Sequence, residues 1–588
     1  MQSPFRLPRI TPFGLGESFL EWMTGLAKLD RLYQKRPQNL SSFEFMRHTL
    51  KVLNVDYRVG AGSIENIPKE GPVLIVANHP LGAVEGVILA DLIGEVRQDV
   101  KVLANQLLKR LPEISDLFIG VDVFEGKSSA RTNAKAVRDA HKHLSDGGVL
   151  VVFPAGEVST YRDPETGKSA NMLADVEWSQ SVAKFIKRSC AVTVPMYIDG
   201  KNSALFYNAG KIHPLLRTAM LGRELLNKHS SNIQILIGNP LPYSETGRFE
   251  DNKELVKYLR LNTYLMSPQS AAQTKTVSQH LDPVISPISP DVLESEIDAL
   301  SDESCLLKQG DFDVYCVHTR DIPNMMQEIG RVREENFRAV GEGSGNACDI
   351  DEYDHYYRQL FVWQRKEREL VGAYRMGLVD ELLENNGIDG LYSKSLFQYG
   401  PEFLETLDTS IEMGRSVVKQ KYQRNLNSLL LLWKGIAAFA SKHPKYTNLF
   451  GPVSISNDYS PMARQLMMEA LSLHCYDEHK AELVSPSVPF KKAGNTFWQP
   501  HLLSCLADTS LLSNLLSRME DGKGLPVLLR QYLKMNGKLV CFNLDPDFND
   551  TLDGLIVVDL RNVPLKTLGK YMGREEAKTY LLQHGQDV

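Results

Sequence analysis

Seven cysteines are spread over 588 residues, and no two stand in a Cys-x-x-Cys pair. That spacing indicates neither a zinc site nor a disulfide framework. No metal and no tightly bound cofactor is expected, and reduced thiols in the cytoplasm are the simple reading. The first residues lack the continuous apolar stretch of a secretory leader. No apolar run reaches the length needed to span a bilayer. Positive charge is not in excess either. The 66 Lys and Arg stand against 72 Asp and Glu, a net charge of −6, so nucleic-acid binding has no support. No internal repeat is visible. What remains is a globular composition, 43% hydrophobic and 23% charged. The chain is too long for one ordinary core and suggests about two to four domains.

The most informative stretch is Asn78–Gly86, NHPLGAVEG, which follows the apolar run Val73 to Ala77. That run reads as a buried strand. A His with a carboxylate one short loop away turns a hydroxyl or amine into a nucleophile: the imidazole takes the proton and the carboxylate orients it. Alone, a His beside a Pro is more often structural. A second strand-like run, Val149 to Pro154, ends in the polar loop FPAGEVS, Phe153 to Ser159. Two strands ending in Gly-bearing polar loops point to an α/β site at strand C-termini.

These stretches, with VPMYIDG at Val194 to Gly200, resemble the ordered motifs of the lysophospholipid acyltransferases over roughly residues 40–245. The resemblance implies His79 as general base and Glu85 as the orienting acid. It implies Phe153, Pro154, Gly156 and Glu157 as an acceptor loop, and Pro195 as a structural element. Two departures bear on the acceptor. The family commonly separates His from Asp by four residues, whereas five separate His79 from Glu85. The family's loop is FPEGTRS, whereas Ala155 and Val158 replace its Glu and Arg here. Arg is the usual fork for phosphate. Its loss argues against a phosphate-bearing acceptor, and Glu157 argues for a positive head group.

In the second half, the acidic run DIDEYD (Asp349 to Asp354), EMGRS (Glu412 to Ser416) and LFGPVSIS (Leu449 to Ser456) are each bland alone. An acidic run is usually a solvated face. Together they resemble the GNAT-type fold of the acyl-homoserine lactone synthases. The resemblance places Arg333, Phe337, Asp349, Asp351, Asp354, Arg375 and Arg415 around an amine acceptor, with Glu412 able to receive its proton. PVLLRQYL (Pro526 to Leu533) and DPDFN (Asp545 to Asn549) bring this half closer to the ornithine N-acyltransferases of bacterial aminolipid synthesis.

The Pro- and Ser-bearing stretch 267–301 reads as a linker. The division expected is therefore an O-acyltransferase domain over 1–266, the linker, and an N-acyltransferase domain over 302–588. The fold class is α/β twice: a glycerolipid-acyltransferase-like α/β domain followed by a GNAT-like α/β domain. That order resembles the bifunctional ornithine lipid synthases. It implies N-acylation of ornithine from acyl carrier protein, then O-acylation of the lyso-ornithine lipid. Two alternatives stand beside it: a lysophospholipid acyltransferase fused to a homoserine-lactone-type synthase with another amine acceptor, and a non-catalytic hemolysin-like lipid-binding protein. Phe19, Leu20, Trp22, Met23 and Leu26 recur at helical spacing, and Lys211 to Lys228 mixes Leu and Met with Lys and Arg. Each reads equally as a core-facing helix or as a helix lying on a membrane. A cytoplasmic enzyme peripheral on the inner membrane is the corresponding location.

Overall fold

A computed structural model describes residues 3–7, 15–82, 84–122, 127–162, 169–228, 231–268, 281–423, 426–492 and 496–586. The chain divides into two units, one of Met1–Ala271 with Asn495–Leu511, the other of Ala272–Gly494 with Leu512–Val588.

The first unit is built on strands β1 (Val55–Ala61), β2 (Val73–Ala77), β3 (Val100–Asn105), β4 (Phe118–Val121), β5 (Val149–Val152), β6 (Val192–Asp199) and β7 (Ser231–Ile237). Their order is β1-β7-β6-β2-β5-β3-β4, parallel except for the antiparallel β6–β7 pair. Every residue of β2 and β5 is buried. Covered on both faces, they are continuous apolar runs rather than alternating ones. β2 lies in the middle of the sheet, so Asn78 and His79 leave its C-terminal edge. Asn78 is fixed there by exchanging hydrogen bonds with the backbone of Ile198, at 3.0 and 2.7 Å.

The second unit carries strands β8 (Cys305–Gln309), β9 (Phe312–His318), β10 (Arg358–Gln364), β11 (Glu369–Leu378), β12 (Ser410–Val418), β13 (Asn448–Ile455), β14 (Lys538–Asp545) and β15 (Thr551–Asp559). The order is β8-β9-β10-β11-β12-β13-β15-β14, and only β12–β13 is parallel. Helix α1 (Pro323–Ala339) buries Met325, Met326, Ile329 and Val332 against Tyr315, Phe361 and Trp363.

The β12–β13 pairing ends early. It covers only Ser410–Glu412 against Asn448–Phe450. Beyond it Pro452 has no N–H to donate, and Arg415 adopts a left-handed φ of +49° at an irregularity in the β11–β12 register. A Cβ on Gly451 would lie 2.1 Å from the Met413 carbonyl oxygen, so only glycine lets the strands meet at the point where they part. The wedge they leave is the floor of a cavity.

Three differences from the sequence expectations have local causes. The stretch 267–301 is not all linker: helix Pro290–Asp298 places Leu293 and Ile297, one turn apart, in the second unit's core. Residues 269–280 of it lie outside the described residues. The span 302–588 is interrupted, because Asn495–Leu511 belongs to the first unit. There Leu502, Leu503, Cys505 and Leu506 are buried, the Ser504 hydroxyl donates to Glu254 at 2.7 Å, and Phe497 stacks on Tyr264 at 5.7 Å. Lys211 to Lys228 is not one amphipathic helix. It is broken at His213 (φ −159°) and resumes in short helices from Pro214, since the residue before a proline is driven out of the α region.

Candidate active sites

In the first unit, the helix Val84–Gly94 begins one short loop after β2 and carries Glu85 in its first turn. The Glu85 side chain is fully buried, and its Oε1 lies 3.0 Å from His79 Nδ1. The same oxygen accepts the amides of Leu81 at 2.9 Å and Gly82 at 2.7 Å. Burial works against the charged imidazole, but the Glu85 carboxylate outweighs it and holds the His79 pKa above its ordinary value. Burial likewise works to raise Glu85, yet His79 and the Gly82 amide win and hold it below the usual carboxylate range. With Nδ1 facing Glu85, Nε2 is the nitrogen left for a substrate hydroxyl.

The acceptor-loop residues gather at the end of β5. The Phe153 ring lies 4.6 Å from the His79 ring. The Pro154 carbonyl accepts Ser179 N–H at 2.9 Å, and the turn closes through Gly156 N–H on Phe153 O at 3.0 Å, with Gly156 at φ +68°. Pro195 sits within β6 opposite Val76. Glu157 corrects the sequence argument. Its carboxylate accepts from Arg217 Nη2 at 2.8 Å. The loop that lost its own arginine receives one from elsewhere in the chain, so Glu157 is not a free negative charge awaiting a cationic head group.

In the second unit the acidic run is neither a solvated face nor a vacant cation site. Asp354 accepts from Arg333 at 2.9 Å and lies 3.5 Å from Arg375. Asp351 accepts from Arg375, and from Arg415 at 3.1 Å. Asp349 lies 3.3 Å from Arg415 Nε. Three carboxylates thus meet three guanidiniums in a largely buried lattice, with Asp351 the most exposed of the six. Burial would raise Asp354, but Arg333 and Arg375 hold it far below the usual range. The Arg375 guanidinium is also framed by the rings of Tyr392, Tyr357 and Tyr353, centred at 4.8, 5.3 and 5.6 Å. Glu412 is 1% exposed and accepts from the Tyr357 hydroxyl and from the amides of Tyr392 at 3.2 Å and Ser393 at 2.7 Å. Three donors on a buried carboxylate pin the turn at 392–393 and leave little capacity for a substrate proton.

The cavity of about 610 Å³ at the β12–β13 wedge is lined by Phe337 and Arg415 among the expected residues, and by Tyr392. Glu412, Asp349, Asp351, Asp354, Arg333 and Arg375 stand behind its wall rather than on it.

Residues 25–272 match the acyltransferase family, and residues 332–434 match the acetyltransferase (GNAT) domain. A glycine N(alpha)-acyltransferase of Phocaeicola vulgatus is 30% identical over 301 residues, covering 48% of this chain and 90% of that protein. The chain belongs to this acyltransferase family. A second glycine N(alpha)-acyltransferase, from Bacteroides thetaiotaomicron, is 34% identical over 222 residues, 36% of this chain and 64% of that protein. A lyso-glycine lipid O-acyltransferase of Phocaeicola vulgatus is 29% identical over 220 residues, 36% of this chain and 74% of that protein. The protein is therefore an acyltransferase enzyme with an α/β acyltransferase region and a GNAT domain.

Two groups of this acyltransferase escaped the sequence reading. Asp175, fully buried, accepts the backbone amide of His79 at 3.1 Å, the Ser159 hydroxyl at 2.5 Å and Trp178 Nε1–H at 2.9 Å, tying the segment that carries the base to the acceptor loop. It stands 96 residues from His79 and carries no local signal. Arg217 was visible only as one of several basic residues in a stretch read as amphipathic.

Proposed function

We propose that the chain builds a diacylated amino-acid lipid in two steps. The second unit N-acylates an amino acid with a 3-hydroxyacyl group carried as a thioester on acyl carrier protein. The first unit then O-acylates the 3-hydroxyl of that lyso-lipid. The observation carrying the reading is the presence in one chain of the His79–Glu85 pair at a parallel-sheet edge and a GNAT-type sheet with a wedge cavity. At the first site His79 Nε2 removes the hydroxyl proton as the oxygen attacks the thioester carbonyl, and Glu85 stabilises the imidazolium.

The acceptor amino acid is ornithine, as the motif resemblance implies. Glycine is the second reading, favoured by the names of the relatives on both halves. Expression in a host without aminolipids, with mass spectrometry of the extract, separates the two by head-group fragment. No new lipid of either kind would sink the proposal.

The membrane surface is the proposed place of work. Among the described residues no helix is long and apolar enough to cross a bilayer. The helix Leu15–Met23 instead exposes Leu15, Phe19, Leu20, Met23 and Trp22, the last at 71%, while burying Glu17 and Glu21. Such an inverted helix suits an interface. Phe19→Ser with Trp22→Ser should release the protein from anionic vesicles in a sedimentation assay.

A further inference from the structure

The cavity of the second unit carries acidic groups that the arginine lattice does not meet. Glu342, Asp458, Asp545 and Asp553 all line it. Of the cations near them, Lys523 reaches Asp458, and the two arginines spend their donors on other groups. Arg415 is held by Asp349, Asp351 and the Tyr392 hydroxyl. Arg464 donates to the Asn457 side chain at 2.6 Å and to the Asp550 carbonyl at 2.5 Å. Lys523 stands 4.0 Å from Asp458. Asp553 is 3% exposed, and its Oδ1 accepts the Ser454 hydroxyl at 2.7 Å. Asp545 is 4% exposed and takes the Asp547 amide at 3.0 Å. The Glu342 carboxylate has no hydrogen bond or ion pair among the described residues.

Burial, with Asp553 and Asp458 alongside, pushes Glu342 up to about 8. Burial, with Asp545 alongside, pushes Asp553 up to about 7. Arg415 and Arg464 offset the crowding at Asp553 only in part, and acids gathered with too little counter-charge are unfavourable until a cation arrives. Asp349, Asp351 and Asp354 already have guanidinium partners, so this cluster is where the cavity has charge to offer one.

We propose that Asp553, Asp545 and Glu342 receive the ammonium groups of a cationic amino-acid acceptor, and that Asp553 takes the proton of the amine that reacts. The inference rests on the N-acylation reading above. The α-ammonium gives one proton to the Asp553 carboxylate. The amine lone pair then forms the N–C bond at the thioester carbonyl, the C–S bond breaks, and the second amine proton leaves with the thiolate as a thiol. An ordinary carboxylate is far too weak a base to compete for an ammonium proton, whereas burial beside Asp545 makes the Asp553 carboxylate a stronger one.

The test uses the purified full-length chain, a 3-hydroxyacyl carrier-protein thioester, and ornithine and glycine as separate acceptors. Asp553→Asn should lower kcat at neutral pH by about a hundredfold or more, with the deficit shrinking as alkali supplies free amine. Its melting temperature should hold or rise, because a crowded charge is gone. Glu342→Gln should raise KM for ornithine about tenfold to a hundredfold and leave glycine little changed. Native kcat and pH profile in Asp553→Asn overturn the assignment, as does activity lost only together with melting temperature in both variants. A native chain that acylates neither amino acid overturns the N-acylation reading itself, a different result from an active native chain indifferent to Asp553.

Discussion

The two units hold their charged groups in opposite ways. In the first, one carboxylate and one imidazole face each other at 3.0 Å, and the imidazole keeps a nitrogen for substrate. In the second, three carboxylates and three guanidiniums neutralise one another, with only Arg415 of the six reaching the cavity, and the less fully matched acids lie on the cavity itself. A paired buried ion is scaffold; a buried ion with a free valence is chemistry. By that criterion we propose the first unit's motif residues as the reactive ones, and most of the second unit's as holding the wedge in shape.

The largest effect expected is at His79. His79→Ala should lower O-acylation by about a hundredfold to ten-thousandfold. N-acylation, in the other unit, should continue, so lyso-lipid accumulates. Undiminished diacyl product would remove His79 from the mechanism and end the contrast.

The lattice comes next. Asp354→Asn leaves Arg333 and Arg375 buried with less compensation, and breaking a buried pair costs about 3–5 kcal/mol. The measured consequence should be a lower melting temperature for the second unit and loss of N-acylation by unfolding, without a selective rise in KM for the amino acid. A normal melt with a raised KM would restore the acidic run as the acceptor site. Stability should also fall in acid. The Asp354 pKa is depressed on folding, so its contribution is present above the ordinary carboxylate value and is lost as pH falls through the folded one.

How much could be read beforehand follows from the same contrast. His79 and Glu85 lie on one strand-loop-helix segment, so spacing alone nearly places them together. The first α/β fold was legible in the apolar runs of β2 and β5 and in the motifs that follow them, and the second through the resemblance of its motifs to the GNAT-type enzymes. The acceptor-side carboxylates were not. Glu342 follows a helix, Asp545 ends one strand and Asp553 sits in the next, and it takes the β14–β15 pairing and the wedge at Gly451 and Pro452 to bring them to one cavity. The acidic run, the loudest charge signal in the second half, misled because its partners Arg333, Arg375 and Arg415 come from three other elements. Asn495–Leu511 was misplaced for a similar reason: an apolar segment does not reveal in sequence which core it joins.

The pH dependence of O-acylation probes the first pair without removing it. Activity needs neutral His79, and its pKa is raised, so kcat/KM should begin to fall at a pH above the ordinary imidazole value of about 6.5. Glu85→Gln should move that limb to lower pH and reduce the plateau rate. An unmoved limb would mean that another group titrates. In stability, the raised His79 contributes below about pH 6.5, with the contribution lost as pH rises through its folded value. The depressed Glu85 contributes above about pH 4.3, lost as pH falls through its own, so the pair's full contribution lies between the two.

The smallest effect expected is at Arg217, and it tests the acceptor loop. Glu157 is 61% exposed in its ion pair with Arg217, so solvent screens the attraction. Such pairs contribute about 0–1 kcal/mol. Arg217→Gln should therefore leave the melting temperature nearly unchanged. It does free the Glu157 carboxylate, and the loop then presents a negative charge that Arg217 pairs in the native protein. Lyso-lipids with a cationic head should gain in kcat/KM and anionic lyso-lipids should lose, each by at most about fivefold. A much larger loss confined to anionic acceptors would show that the guanidinium binds the head group directly. It would then stand in for the arginine that Val158 replaced, and the first unit would have to be read as accepting a phosphate-bearing lipid after all.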